Sequence, residues 1–207
     1  MTDRLEIKQL TARIGGRTAL SIDALTAPAG EVLVILGDAG SGKTVLAAAM
    51  AGSIVADGSV LVDGVTISGT PSQRRRRGLS VAVRDGERLA GCTVVEALRL
   101  SARRPERVRA ALERFPQLAT RRSVLAQLLS GGEQQLLRVA CAWTAAPRVL
   151  VLDSPTVGLA ADAQAAVTVL ATAEAAAGAT VVWLEQDRRA APAPPRMNLV
   201  RGRVVPA

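Results

Sequence analysis

The stretch EVLVILGDAGSGKTVLAAAMA, residues 31–51, decides the fold. Residues 32–36 are apolar and rich in β-branched side chains, the composition of a parallel strand buried on both faces. They run into Gly37, Asp38, Ala39, Gly40, Ser41, Gly42, Lys43 and Thr44, which fit G-x-x-x-x-G-K-[ST]. From Val45 the chain is Ala-rich and reads as a helix. Strand, glycine loop and helix together are the setting in which that pattern cradles phosphate. The glycines let the loop fold tightly, so that backbone N–H groups converge on phosphate oxygens. The helix N-terminus adds free donors and a positive dipole. In such a loop Lys43 reaches the β- and γ-phosphates, and the Thr44 hydroxyl ligates Mg²⁺.

The composition supports a specific need for Lys43. Of 26 basic residues only Lys8 and Lys43 are lysines, and the rest are Arg. A compact ammonium retained in an Arg-rich chain fits a place where a guanidinium fork would not.

Composition also narrows the function classes. The 207 residues are enough for one core with a subdomain. No apolar run approaches the roughly 20 residues of a membrane span, and MTDRLEIKQL carries no hydrophobic signal region. The expectation is a soluble, cytoplasmic chain. The net charge of +8 comes from Arg excess and reads as an Arg-rich surface. With Phe115, Trp143 and Trp183 as the only aromatics, base-stacking platforms are nearly excluded, and no nucleic-acid partner is expected. The absence of His excludes a Ser-His-Asp triad and a His-ligated zinc. Cys92 and Cys141 lie far apart and read as free packing thiols.

Outward from the glycine loop, residues 5–8 alternate like an edge strand, Ile14-Gly15-Gly16 is a turn, and residues 19–25 alternate again. Asp57-Gly58 and Asp63-Gly64 read as turns around a strand at 59–62. Residues 73–77 are a basic run read as a solvated loop, and 79–83 a further strand. Thr93 is a plausible N-cap for a helix through Val94, Val95 and Leu98, and Pro105 opens another. Ser130-Gly131-Gly132-Glu133 leads into a helix carrying Leu136, Leu137 and Trp143, with the serine as N-cap. Residues 149–153 form an apolar strand ending in Asp153, at the sheet edge where ligands bind in open α/β folds. Residues 180–184 are another apolar strand, and 199–205 a terminal hairpin around Gly202.

The glycine loop at 37–44, LSGGEQQ at 129–135 and the strand to Asp153 follow one another in the order and spacing of ABC transporter ATP-binding subunits, which the chain resembles over nearly its whole length. Finer features resemble the branched-chain amino-acid importer branch: Phe115-Pro116 with Leu118, Arg121-Arg122, Gly158-Leu159-Ala160 and Glu185-Gln186. The resemblance implies an α/β P-loop NTPase core with a mostly parallel sheet and an N-terminal antiparallel β-subdomain. Residues 1–89 and 136–207 would form that core, and residues 90–135 an inserted helical subdomain ending in the signature. It implies ATP and Mg²⁺ as cofactors, with residues 37–45 on the nucleotide, Lys43 and Asp153 in catalysis, and Thr44 and Asp153 on the metal. It implies a head-to-tail pair of cassettes in which Ser130, Gly131, Gly132 and Glu133 serve the partner's nucleotide. Integral membrane permease subunits would contact the helical subdomain and the loop near Arg84, placing the chain on the inner face of the cell membrane.

The chain departs from the family pattern in four places. Ser154 stands where the family has the Glu that polarises the attacking water, and loss of a general base costs roughly 10²–10⁴-fold in rate. Arg84 or Asp85 stands at the usual Gln. Ile14 replaces the aromatic that stacks on adenine, a contact worth about 1–3 kcal/mol by analogy with base stacking. Gln186 stands at the frequent His. Glu185 and Asp187 are alternative bases, read here as residues of a solvated loop. The expectation is a cassette that binds Mg-ATP, hydrolyses weakly at its own site and completes a partner's site. The rival readings are a stand-alone regulatory cassette without a membrane partner, and a small P-loop kinase, which gives LSGGEQQ no role.

Overall fold

In β-rich stretches of this chain the side chains sort by parity, and that sorting builds two cores on opposite faces of one sheet. The computed structural model describes residues 3–83, 91–194 and 196–207. In chain order it has β1 (Asp3–Ile14), β2 (Arg17–Pro28), β3 (Val32–Leu36), α1 (Lys43–Ala51), β4 (Ala56–Val62), β5 (Val65–Thr66) and α2 (Pro71–Arg76). Then come β6 (Leu79–Ala82), α3 (Val94–Ser101), α4 (Pro105–Arg114), α5 (Pro116–Thr120) and α6 (Gly131–Thr144). The chain closes with β7 (Val149–Asp153), α7 (Ala161–Ala176), β8 (Thr180–Glu185), β9 (Met197–Val200) and β10 (Arg203–Pro206).

A six-stranded sheet runs β10-β9-β3-β8-β7-β6, parallel throughout except for the β9–β10 hairpin. Leu33, Ile35, Val149, Val151, Val182 and Leu184 face α1 and the second sheet. Val34, Leu150, Leu152, Val181 and Trp183 face α6, α7 and the helical segment. Both faces are covered, so β7 reads as an unbroken apolar run in sequence and is buried at every position. The second sheet is antiparallel, in the order β2-β1-β4-β5, with Leu5, Ile7, Leu20 and Val60 on its inner face.

Three expectations are corrected here. Residues 5–8 do not form an edge strand: β1 pairs with β2 on one side and β4 on the other. Its alternation reflects one dry and one wet face, which an internal antiparallel strand also has. Asp57-Gly58 is not a turn but lies within β4, opposite a register shift in β1. Gly58 there has φ +94°, and a Cβ on it would lie 2.2 Å from the Gln9 carbonyl oxygen. This is a bulge, for which a glycine in that conformation is suited. The basic run at 73–77 is not a solvated loop. Residues 73–76 complete α2 and Arg77 is its C-cap, while the first turn is capped reciprocally by Thr70 and Gln73. The Arg74 guanidinium donates to the carbonyls of Ala49 (3.1 Å) and Met50 (2.9 Å), closing the C-terminus of α1.

Other signals hold. Thr93 caps α3 with Glu96 in a capping box, Pro105 opens α4, and Asp63-Gly64 and Arg201-Gly202 turn their hairpins with positive φ at both residues. Both cysteines are free thiols, and burial pushes the Cys141 thiol up to about 11. Among the described residues no helix is long and apolar enough to cross a membrane.

Candidate nucleotide-phosphate site

The loop 37–42 leaves the carboxyl end of β3, and α1 begins directly on Lys43. Gly37 continues the sheet ladder, its N–H donating to the Glu185 carbonyl at 3.0 Å. A Cβ on Gly37 would lie 2.4 Å from Ser41 Oγ and 2.7 Å from the Leu199 carbonyl oxygen, so only glycine fits. Gly40 and Gly42 have φ of +76° and +107°, the left-handed conformation that turns successive N–H groups inward. Gly42 is the N-cap of α1 without a capping side chain, which leaves the first-turn donors to an anion. Asp38, Ala39 and Gly40 are exposed at the rim, and Thr44 and Val45 are half-buried behind them.

Lys43 is buried, and its ammonium donates to the carbonyls of Gly37 (2.5 Å) and Asp38 (2.9 Å), with Ser41 Oγ at 3.5 Å. Desolvation lowers its pKa, against the opposing fields of Asp153, Glu185 and Asp38. Asp153, fully buried, ends β7 beside β8. It accepts a hydrogen bond from Ser154 Oγ at 3.4 Å. One hydroxyl and one carboxylate are hard oxygen donors, and with phosphate oxygens and water they suit Mg²⁺ better than a softer metal. Among the described residues no cluster of three or more His, Cys, Asp or Glu forms a metal cage. A site built this way would rely on the nucleotide to complete the coordination.

The structure brings Ser154 and the SGGE segment to one place within the chain. Ser154 has φ +48° and donates its N–H to Leu184 O at 2.8 Å. Its carbonyl accepts Gln135 Nε2 of α6 at 3.3 Å. Ser130 caps α6: its hydroxyl accepts the Glu133 N–H at 3.2 Å, and Glu133 Oε2 accepts the Ser130 N–H at 2.9 Å. That backbone donor, ahead of the Ser130 hydroxyl and Arg121, holds the Glu133 carboxyl below its usual range. Gly131 has open space around it, whereas Gly132 abuts Gly158. Glu133 is thus occupied within its own chain, and Ser130 and Gly131 are exposed.

Glu185 overturns an expectation. It is not on a solvated loop but ends β8, buried, with Oε2 accepting the Thr156 hydroxyl at 2.8 Å and Oε1 the Gln186 N–H at 2.7 Å. Its apolar neighbours in sequence suggest strand, but only the pairing with Leu36 shows that the strand reaches it. Asp187 and Gln186 are exposed, as is Ile14 at the end of β1. Arg84 and Asp85 lie outside the described residues.

A glycine loop heading a helix, with a buried carboxylate at the end of β7, beyond the intervening β8 in the same parallel sheet, defines a P-loop nucleoside-triphosphatase core. A family profile described as "ABC transporter" matches residues 20–157. The branched-chain amino acid transport ATP-binding protein BraG of Pseudomonas aeruginosa is 31% identical over 164 residues, 75% of this chain and 70% of that protein. The Fe(3+) ions import ATP-binding protein FbpC of Streptomyces coelicolor is 38% identical over 165 residues, 73% of this chain but 45% of that protein. A solved ATP-binding subunit of an ABC transporter superposes with a TM-score of 0.83 at 23% identity, covering 97% of this chain and 88% of that one. A nucleotide-free ATP-binding cassette superposes at 0.79 with 21% identity, over 99% and 90% of the two chains. The chain belongs to the ABC transporter family, as one of its ATP-binding cassettes, and its class is that of the ABC-type ATPases.

Proposed function

We propose that the chain is the ATP-binding subunit of an ABC transporter, peripheral on the cytoplasmic face of a membrane and coupled to permease subunits. In this reading the loop 37–45 and Lys43 bind the nucleotide phosphates, and Thr44 and Asp153 hold Mg²⁺, which would neutralise charge on the transferring phosphoryl group. The exposed N-terminal turn of α6, capped by Ser130, offers its donors to the nucleotide of a second cassette, head to tail.

The observation that carries the reading is the pairing of a built phosphate cradle with a hydroxyl at the next position after its carboxylate. Lys43 sits on the loop carbonyls and Asp153 is fully buried nearby, but Ser154 beside it has only a hydroxyl. A serine hydroxyl is no useful proton acceptor at neutral pH, so the own site binds and hydrolyses slowly. The α6 N-terminus is nevertheless exposed at Ser130 and Gly131, which supports a role toward a second cassette. The subunit therefore contributes binding at one site and completes catalysis at the other.

The test is phosphate release by the purified chain, alone and with the protein it retains from native membranes. Slow release alone and faster release in the complex support the reading. Ordinary cassette turnover by the isolated chain, lost in Lys43→Ala but unaffected by Ser154→Ala, would refute it.

A further inference from the structure

The first turn of α6 carries opposing demands on charge. Ser130 and Gly131 are exposed there, and the helix end favours an anion. Yet Glu133 places a carboxylate in the same turn, which stabilises the helix and repels an arriving phosphate. Two contacts occupy that carboxylate. Oε2 accepts the Ser130 N–H at 2.9 Å, and Oε1 accepts Arg121 Nε at 3.3 Å. Arg121 is the cation paired with Glu133 among the described residues. Its backbone is fixed before its side chain reaches α6. Arg121 is the C-cap of α5, with its N–H on the Leu118 carbonyl at 3.2 Å and its own carbonyl on the Val124 N–H at 2.8 Å. Phe115 and Leu118 beneath α5 are fully buried, and Gln117 Nε2 donates to Asp162 in the first turn of α7 at 2.6 Å. A short helix held on three sides thus presents one guanidinium to the carboxylate of the α6 turn.

We propose that Arg121 is a positioning residue for the phosphate received at the α6 N-terminus: it keeps Glu133 folded onto the Ser130 N–H and offsets its negative charge. Without Arg121 the turn would present an uncompensated carboxylate to the incoming phosphates, and the free donors of the turn would bind them less well. The pair lies where this matters. The Glu133 side chain is 24% exposed and Arg121 55%, so water and salt screen the pair only in part. The role is electrostatic rather than a tie between α5 and α6, because α5 already has its buried side chains and the Gln117–Asp162 hydrogen bond to hold it. It rests on the proposed function, in which the α6 N-terminus meets the nucleotide of a second cassette.

The test is the Mg-ATP concentration that gives half-maximal pairing of the full chain with the cassette it is isolated with, read by sedimentation velocity. Arg121→Ala should raise that concentration roughly three- to tenfold. The excess should shrink in about 1 M salt, where the Debye length is about 3 Å. The deciding variant is Arg121→Ala/Glu133→Gln. A glutamine still accepts the Ser130 N–H in the capping box but carries no charge, so the double variant should return to within about twofold of the parent. Urea midpoints check that every variant folds. A double variant as weak as Arg121→Ala alone would make Arg121 a structural tie and overturn the role, as would parent-like pairing of Arg121→Ala. A parent chain that never pairs in the presence of Mg-ATP would instead overturn the proposed function, and this role with it.

Discussion

Gly132 and Gly158 touch so closely that a Cβ on Gly132 would lie 2.5 Å from the Gly158 carbonyl oxygen. One turn further along α6, Gln135 Nε2 donates to the Ser154 carbonyl at 3.3 Å. The signature helix and the loop after Asp153 are thereby fixed to one another inside a single chain. Gly132→Ala should force backbone apart and cost about 1–3 kcal/mol of stability. Gly131→Ala meets open space and should leave stability unchanged or raise it by up to ~1 kcal/mol through helix propensity. Urea unfolding of the two variants checks this, and equal midpoints would contradict the close packing at Gly132. Under the proposed function Gly131→Ala should still impair ATP-dependent pairing of cassettes, seen by sedimentation.

Ser154 concerns chemistry as much as backbone. Its φ of +48° is left-handed, so Ser154→Gly should stabilise the fold by up to ~1 kcal/mol. Under the proposed function, Ser154→Glu supplies a carboxylate at the position after Asp153, where the chain has only a hydroxyl. Phosphate release by the assembled complex at this site should rise by ~10²-fold or more, while Ser154→Ala changes little. Single-turnover phosphate release with a hydrolysis-dead partner isolates the site. A Glu variant no faster than the parent would show that something other than the base limits turnover.

The fold was largely legible because its deciding signals are local. The loop 37–44 carries its glycines where φ is positive or a Cβ would clash, and Ser130 and Thr93 cap helices with acids three residues on. What stayed hidden depends on contacts between distant segments. The Asp57-Gly58 pair has the letters of a turn, and only the crossing of β1 at Gln9 makes it a bulge. The arginines at 74–76 look solvated until Arg74 meets the open end of α1. α7 is so rich in alanine that its sequence shows little contrast between faces, and its burial on Val167 and Leu170 comes from tertiary packing. At the site the cradle was readable, but the burial of Glu185 against Thr156 was not, since it needs the end of β8 to meet the turn after β7.

Lys43 should give the site a pH dependence of its own. Burial lowers its pKa below the usual 10.5, so the folded state binds the proton less tightly than the unfolded chain. The cost of burying the ammonium is fully present below the folded pKa. It is relieved as pH rises through that value toward 10.5, so stability relative to Lys43→Met should increase over this window. Nucleotide affinity should move the other way, because the phosphates need the ammonium. Calorimetric titration with Mg-ATP should show affinity falling before 10.5 is reached. Lys43→Arg should bind more weakly but with a flat profile, since a guanidinium stays charged. An affinity in the parent protein that is flat up to 10.5 would contradict the lowered pKa.

Glu174 ties the helical segment to the core through one oxygen. Its Oε1 on α7 accepts the Trp143 indole N–H from α6 at 2.7 Å and the Arg107 guanidinium from α4 at 3.1 Å. Arg107 also lies 5.0 Å above the Trp143 ring, and Arg114 6.0 Å. The carboxylate and the ring thus hold a shared cation, and the helical segment is anchored where α4 crosses the core helices. Glu174→Ala removes the acceptor from both donors at once and should cost about 2–3 kcal/mol, the range for hydrogen bonds to charged groups. Glu174→Gln keeps an acceptor for the indole but loses the charge opposite Arg107, and should cost less. The two tryptophans make the local effect visible. Trp183 is fully buried in the sheet and should not respond, whereas Trp143 emission should shift to longer wavelength as water reaches the ring. A Trp143→Phe background assigns that shift. A parent-like urea midpoint with unchanged emission in Glu174→Ala would mean that the anchoring energy lies elsewhere in the α4–α6 contact.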